Sequence, residues 1–211
     1  MKIGFVTGLV AEARLLSGVD ALVATSGGTV AGVTAAAEHL VDRGADVLIS
    51  FGLAGGLAPS CRAGDLIVPQ DVVDGSEVFR CDPGLVAMLG GATVQRLTGA
   101  PAVVASRMAK ADLYAGSGAA AVDLESVGVA RVAVRHAIGF AVLRAVVDPA
   151  HRELPDASLV ALDEDGRIAM GRIIRSLARN PLQISGLIAL GRDMARAKRT
   201  LKREVTRRFR T

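Results

Sequence analysis

Between residues 121 and 150 the apolar positions change period twice. "AAAVDLES" is apolar until Asp123 and Glu125, which predicts a strand ending in carboxylates. Val127, Ala130 and Val134 then recur at helical spacing, with Arg131 and Arg135 on a more polar side. "FAVLRAVV" has the continuous apolar, β-branched character of a strand buried on both faces, and it stops at Asp148-Pro149. In open α/β sheets, ligands collect at the carboxyl ends of strands. This strand–helix–strand unit therefore brings Glu125 and Asp148 to one rim, where two carboxylates can share a substrate. Taken singly, Glu125 reads as a helix cap and Asp148 as the opening of a turn; as a framed pair they read as a site.

The same patterning runs through the rest of the chain. "KIGFVTG" is a strand that stops at Gly8, and "LVAEARLL" begins a helix or helical turn. "DALVATSGG" is the next strand. "TVAGVTAAAEHLVDRG" is a helix with Thr29 as cap and Gly44 as stop signal. "DVLISFGLAGGLAPSCRAGDLIVPQDVV" holds a buried strand running into Gly52, Gly55 and Gly56, then a turn and a further apolar strand. Glycines there permit close backbone approach to a ligand, or simply a tight sheet corner. Residues 76–118 are less regular: "DPGLVAMLGG" suggests a short helix, "ATVQRLTG" and "PAVVAS" two strands, and "KADLYAGSG" a helix whose Lys110 and Tyr114 are candidates for the pocket mouth, though nothing in the spacing demands it. After Asp148 a loop and a short helix lead to two helical stretches separated by Asn180-Pro181. In the second, Leu187, Leu190, Met194, Ala197, Leu201, Val205 and Phe209 recur every three or four residues. Strand–helix alternation over 211 residues predicts one α/β domain, 1–211, a mixed sheet flanked by helices, with a basic amphipathic helix from about 182.

Charge sharpens this picture at one end. Residues 192–211 hold nine Lys and Arg against Asp193 and Glu204, so the net charge of +4 sits on the tail and the rest of the chain is slightly acidic. No apolar run is long enough for a transmembrane span, and Glu12 and Arg14 interrupt the first apolar run too early for a signal peptide. Cys61 and Cys81 lack metal or CxxC spacing and read as thiols of a reducing cytoplasm. His39, His136 and His151 are scattered, so no metal site is expected. "SGGTVAG" does not have GxGxxG spacing, and no GxxxxGK[ST] occurs, which disfavours a dinucleotide-dependent oxidoreductase. Aromatic residues make up only 3% of the chain, which argues against a base-stacking nucleic-acid module built on the basic tail.

"AVDLES…ARVA…FAVLRAVVDPA" resembles the corresponding region of the nucleoside phosphorylase and methylthioadenosine/adenosylhomocysteine nucleosidase superfamily, and more narrowly its hopanoid-associated branch. "GLAGGL…GDLIV" and "SGGTVAG" are similar to two further superfamily blocks. The resemblance implies a nucleoside phosphorylase-like fold and cleavage of an adenine nucleoside, with adenosylhopane as the substrate of the narrower branch and a methylthioadenosine/adenosylhomocysteine-type nucleosidase as the alternative. It places Glu125, with Leu124 beside it, at the ribose, Asp148 at purine N7, Glu12 at the sugar's reacting carbon, and Gly52, Gly55 and Gly56 along the ribose and nucleophile pocket. Val147 stands where the superfamily usually has a small hydroxyl residue, and Phe51 and Leu53 flank Gly52 where a hydroxyl is frequent.

These roles suit the chemistry. An ionised Glu125 accepts hydrogen bonds from ribose hydroxyls beside the developing oxocarbenium ion. A protonated Asp148 donates to the departing base, for which burial beside another carboxylate would raise its pKa. Glu12 orients an attacking water as general base. If phosphate attacks instead, Arg14 and the glycine turns are the available donors. Both nucleophiles stay open on sequence, with no cofactor expected beyond inorganic phosphate as the alternative co-substrate. A homodimer, and peripheral contact of the cytoplasmic protein with an anionic membrane through its C-terminal helix, complete the expectations.

Overall fold

The computed structural model describes residues 1–155 and 183–209. The short helix after Asp148 and the helix expected between Arg167 and Asn180 lie outside these residues. In chain order the elements are β1 (Ile3–Thr7), α1 (Val10–Ala13) running into a 3₁₀ turn (Arg14–Leu16), β2 (Leu22–Thr25), α2 (Val30–Asp42), β3 (Val47–Gly56), β4 (Leu66–Ile67), β5 (Pro69–Asp74), β6 (Glu77–Arg80), α3 (Pro83–Met88), β7 (Val94–Gly99), α4 (Arg107–Ser117), β8 (Ala121–Asp123), α5 (Ser126–Arg135), β9 (Gly139–Asp148) and α6 (Gln183–Phe209). Helix starts follow their caps. The Thr29 hydroxyl accepts from Gly32 N at 3.1 Å, and Asp82 and Ser106 cap α3 and α4 in the same way.

β3 is the hub of one mixed sheet. Its first half pairs in parallel with β1 on one side and β9 on the other, and its last two residues turn to pair antiparallel with β8. From β8 the sheet continues through β7 and β5 to the edge strand β6, while β2 closes the opposite edge and β4 pairs with β9. The change of partner falls at an irregularity between Ala54 and Gly55, so Gly55 sits opposite both Val122 and Asp148. The ends of β1, β3, β8 and β9 therefore converge.

β9 is buried on both faces, as its unbroken apolar run predicts. Phe140, Val142 and Val146 pack with α2 and α5, and Ala141, Leu143 and Ala145 pack on the other face with α6. α6 belongs to the core. Ala197, Leu201 and Val205 are fully buried, and Phe209 meets Phe5 edge-to-face with ring centroids 5.2 Å apart. Val205 and Phe209, the end of the apolar stripe, thus cover one face of the sheet. The basic end of α6 is tied down too, since buried Glu204 pairs with Arg207 and Arg208, and Arg208 donates to Met88 O.

Two local readings are corrected, and one strand pair is added. "PAVVAS" is a loop rather than a strand: Pro101 follows the end of β7, and among the described residues no strand pairs with this stretch. Asp74–Glu77 make a tight turn between β5 and β6, an antiparallel pair that the polar run concealed. Val134 is 62% exposed, and α5 instead buries Ser126, Val127, Val129, Ala130, Val132 and Ala133.

Candidate active site

Where the four strand ends converge there is a cavity of about 550 Å³. Glu12, Asp123, Glu125 and Asp148 supply the ionisable groups among the described residues that line it; the rest of that lining is glycine or apolar, including Leu187, Leu190 and Met194 of α6. Glu12 comes from the turn after β1. Its two oxygens accept separate backbone amides, Oε2 from Leu9 N at 2.9 Å and Oε1 from Leu53 N at 2.8 Å. Burial nevertheless pushes its pKa above the ordinary carboxylate value, with Arg144 and these amides opposing.

Behind the carboxylates lies Arg144, 1% exposed in the middle of β9. Its Nε is 2.8 Å from Asp123 Oδ2 and its Nη2 3.0 Å from Glu125 Oε2. Nη2 also donates to Ser50 Oγ at 2.7 Å, and Nη1 donates to Leu53 O at 3.3 Å. Burial alone would make this guanidinium easier to deprotonate, but Asp123, Glu125 and Glu12 outweigh it and hold its pKa above the usual value. Ser126 completes the layer: its amide donates to Asp123 Oδ1 and its hydroxyl bridges Asp123 and Ser50. Glu125 is pushed up to about 7 by burial, against Arg144 and helped by its acidic neighbours Asp123 and Glu12.

At the other end of the cavity Asp148 meets Lys110, whose side chain is fully buried. Lys110 Nζ lies 2.5 Å from Asp148 Oδ2. It also donates to the carbonyls of Asp148, Pro149 and Arg152 at 3.3, 3.2 and 3.1 Å. Burial raises the Asp148 pKa and Lys110 pulls it back.

Two glycines make room for these groups. A Cβ at Gly8 would collide with the Glu125 carboxylate, and one at Gly52 would lie 2.5 Å from Glu12 Oε1 and 2.6 Å from Arg144 Nη1.

Of the residues expected from sequence, Glu12, Leu124, Glu125, Asp148 and Gly55 line the cavity together. Gly52 stands behind Glu12, and Gly56 packs on Val146, Cys61 and Pro149. Arg14 is exposed in the 3₁₀ turn, outside the lining, so it supplies no cation there. Tyr114 lies at the surface. Sequence reasoning passed over Arg144, Ser50 and the partnership of Lys110. The signal for Arg144 was a lone cation inside "FAVLRAVV", since a charge in a doubly buried strand needs a buried partner.

Compared by sequence with curated proteins, the chain finds no match. Residues 4–98 match the profile of the Phosphorylase superfamily. The Phosphorylase superfamily match takes in Glu12 and the Gly52–Gly56 run, whereas Lys110, Glu125, Arg144 and Asp148 lie beyond it. Solved structures share the fold over the full length. A 5'-methylthioadenosine/S-adenosyl homocysteine nucleosidase of Helicobacter pylori superposes with a TM-score of 0.68 at 18% identity, covering 98% of each chain. The futalosine hydrolase of the same organism gives 0.68 at 17%, again over 98% of each. A methylthioadenosine/adenosylhomocysteine nucleosidase of Colwellia psychrerythraea, in complex with adenine, gives 0.67 at 18%, covering 93% of this chain and 96% of that one. The fold is that of nucleoside phosphorylases and nucleosidases.

Proposed function

We propose that the protein hydrolyses the N-glycosidic bond of an adenine nucleoside. One observation carries the reading: four carboxylates line the cavity, and both cations, Arg144 and Lys110, stand behind them, each ion-paired with one or two of them. Glu125, when ionised, takes the ribose hydroxyls and places negative charge beside the developing oxocarbenium ion. Asp148 gives a proton to N7 as the C1'–N9 bond breaks and its electron pair passes to the purine. Glu12, made more basic by burial and fixed by two amides, accepts a proton from the water that adds to C1'.

The same charge arrangement favours water over phosphate. Two like charges 4 Å apart repel by about 4 kcal/mol at the effective dielectric near a protein surface. A phosphate would meet that repulsion from several carboxylates, with no lysine or arginine among the described lining residues to offset it. Incubation with adenosine-type nucleosides, with and without phosphate, tests this directly. Free adenine should appear at equal rates in both; release that requires phosphate would overturn hydrolysis, and no release from any of them would overturn the function.

The outer wall narrows the substrate. Leu187, Leu190 and Met194 of α6 line the cavity together with Val103, Val104 and Leu154. This lining suits an apolar 5' substituent better than the zwitterionic amino-acid group of adenosylhomocysteine, which would have to shed water there. Adenosylhopane, an adenosine on an apolar polycyclic lipid, fits that requirement. A lipid-linked substrate calls for contact with a bilayer, and in this reading the contact falls to the first turns of α6. Ile184 and Ile188 are about half exposed there, and Arg192, Arg196 and Arg199 follow on the same helix. Basic residues beside an anionic leaflet contribute about 1 kcal/mol each. Sedimentation with anionic vesicles should therefore be lost in I184D/I188D, while that variant still cleaves a soluble adenosine analogue. Unchanged sedimentation would remove the membrane contact from this face.

A further inference from the structure

We infer that Lys110 is the positioning residue of the acid that protonates the leaving base. This rests on the nucleoside hydrolase reading above. Lys110 lies on α4, which contributes no group to the reaction as derived, yet its ammonium is the nearest charge to Asp148. Four acceptors surround Nζ: one carboxylate oxygen and three carbonyls. None of these can donate.

That ammonium does two things to Asp148. Every hydrogen bond it makes to the carboxyl falls on Oδ2, which fixes the rotamer and leaves Oδ1 as the oxygen for a ligand in the cavity. It also opposes the effect of burial on proton affinity, keeping the carboxyl a strong enough acid to release its proton to a purine nitrogen. The other charged groups around Asp148 are Arg152, which acts in the same direction more weakly, and Glu12, Asp123 and Glu125 on the shared cavity wall. The three carbonyls belong to the chain from Asp148 to Arg152, so the same cation also anchors the turn that carries the acid. Arg152 in turn pairs with Asp193 of α6 at 2.8 Å, which links that turn to the wall closing the cavity.

A purely structural lysine and a positioning lysine differ in which substrates suffer when it is lost. K110M and K110Q remove the charge, and K110Q can still donate to Oδ2 and the carbonyls if the apolar chain is not tolerated. Each is compared with wild type at its own pH optimum on two substrates. One is an adenine nucleoside, whose base must be protonated to leave. The other is 4-nitrophenyl riboside, whose phenolate departs without a proton. A general acid contributes about 10²–10⁴-fold, so misplacing it should lower kcat on the adenine nucleoside by about tenfold to hundredfold. Turnover of the nitrophenyl riboside should stay within about twofold. Carboxyl NMR on aspartate-labelled protein, with D148N to assign the signal, should show the Asp148 midpoint moving to higher pH in the neutral variants and back toward wild type in K110R. Equal losses on both substrates, or an unmoved Asp148 midpoint in a folded neutral variant, would overturn the role of Lys110. Failure of wild type to cleave either substrate would instead overturn the hydrolase reading itself.

Discussion

At the scale of single residues, the site is a balance between burial and charge, and its side chains should respond differently when altered. D148N should lower adenine release by about 10²–10⁴-fold and E125Q by about 10²–10³-fold, with circular dichroism unchanged. A near-normal rate in folded D148N would remove Asp148 from the chemistry. Glu125 also makes a prediction about stability. Its pKa rises from 4.5 unfolded to about 7 folded, so the folded state binds its proton more tightly. The resulting stabilisation is complete below pH 4.5 and is lost as pH climbs through about 7. Wild type should therefore lose Tm relative to E125Q between pH 5 and pH 8, which melts at the two pH values would measure; a constant difference would contradict it. Arg144 should behave in the opposite way to an expendable surface charge. R144M strands Asp123 and Glu125 without their shared cation, at a cost of about 3–5 kcal/mol. Denaturant titration should show that loss, and an R144M protein of wild-type stability would mean the carboxylates are not charged partners. Gly8 and Gly52 belong in the same group. G8A and G52A should abolish turnover with no ionisable group removed, because each methyl would occupy the space of a carboxylate.

At the scale of elements, α6 explains most about what sequence could and could not convey. Its three-to-four-residue apolar spacing was plain, and so was its basic surface. What a one-dimensional pattern cannot give is the surface that an apolar stripe meets. Val205 and Phe209 suit a bilayer and a sheet face equally well until Phe5 is seen beside them. L201A should cost about 2–5 kcal/mol, as for other buried leucines, and removal of residues from Arg196 onward should unfold the domain rather than free a soluble enzyme. Thermal melts of both would check this; a truncated protein with an intact transition would mean α6 is peripheral. β9 teaches a related lesson. Its doubly buried character was legible from "FAVLRAVV", but hydropathy treats Arg144 as an interruption, whereas in three dimensions three carboxylates surround it. Conversely, "PAVVAS" has strand composition but pairs with no strand among the described residues, so tertiary context overrides propensity.

At the scale of the whole molecule, the rim of carboxylates was readable because it depends on strand ends, and strand ends are marked by where apolar runs stop. Glu12, Glu125 and Asp148 each close such a run, and the sheet order brings the closures together. The cations were not readable in the same way. Lys110 is one of several polar residues on α4, and its buried contacts are with Asp148, Pro149 and Arg152, some forty residues away in sequence. Arg14, which lies close to Glu12 in sequence, points away because the chain tightens into a 3₁₀ turn after α1. Proximity along the chain was a poor guide to the counter-charges, and burial was the better one.

The docking of α6 on β1 also sets an order of assembly during biosynthesis. Phe5 leaves the ribosome about two hundred residues before its edge-to-face neighbour Phe209. At about 5–20 residues per second, Phe5 waits on the order of ten seconds or more for its cover, and Phe51 and Leu143 on the same face wait progressively less. The cavity wall made by Leu187, Leu190 and Met194 arrives in the same late segment. A nascent chain therefore carries its carboxylates in an open, uncovered half-site, and the emergence of α6 both buries the sheet and completes the cavity wall.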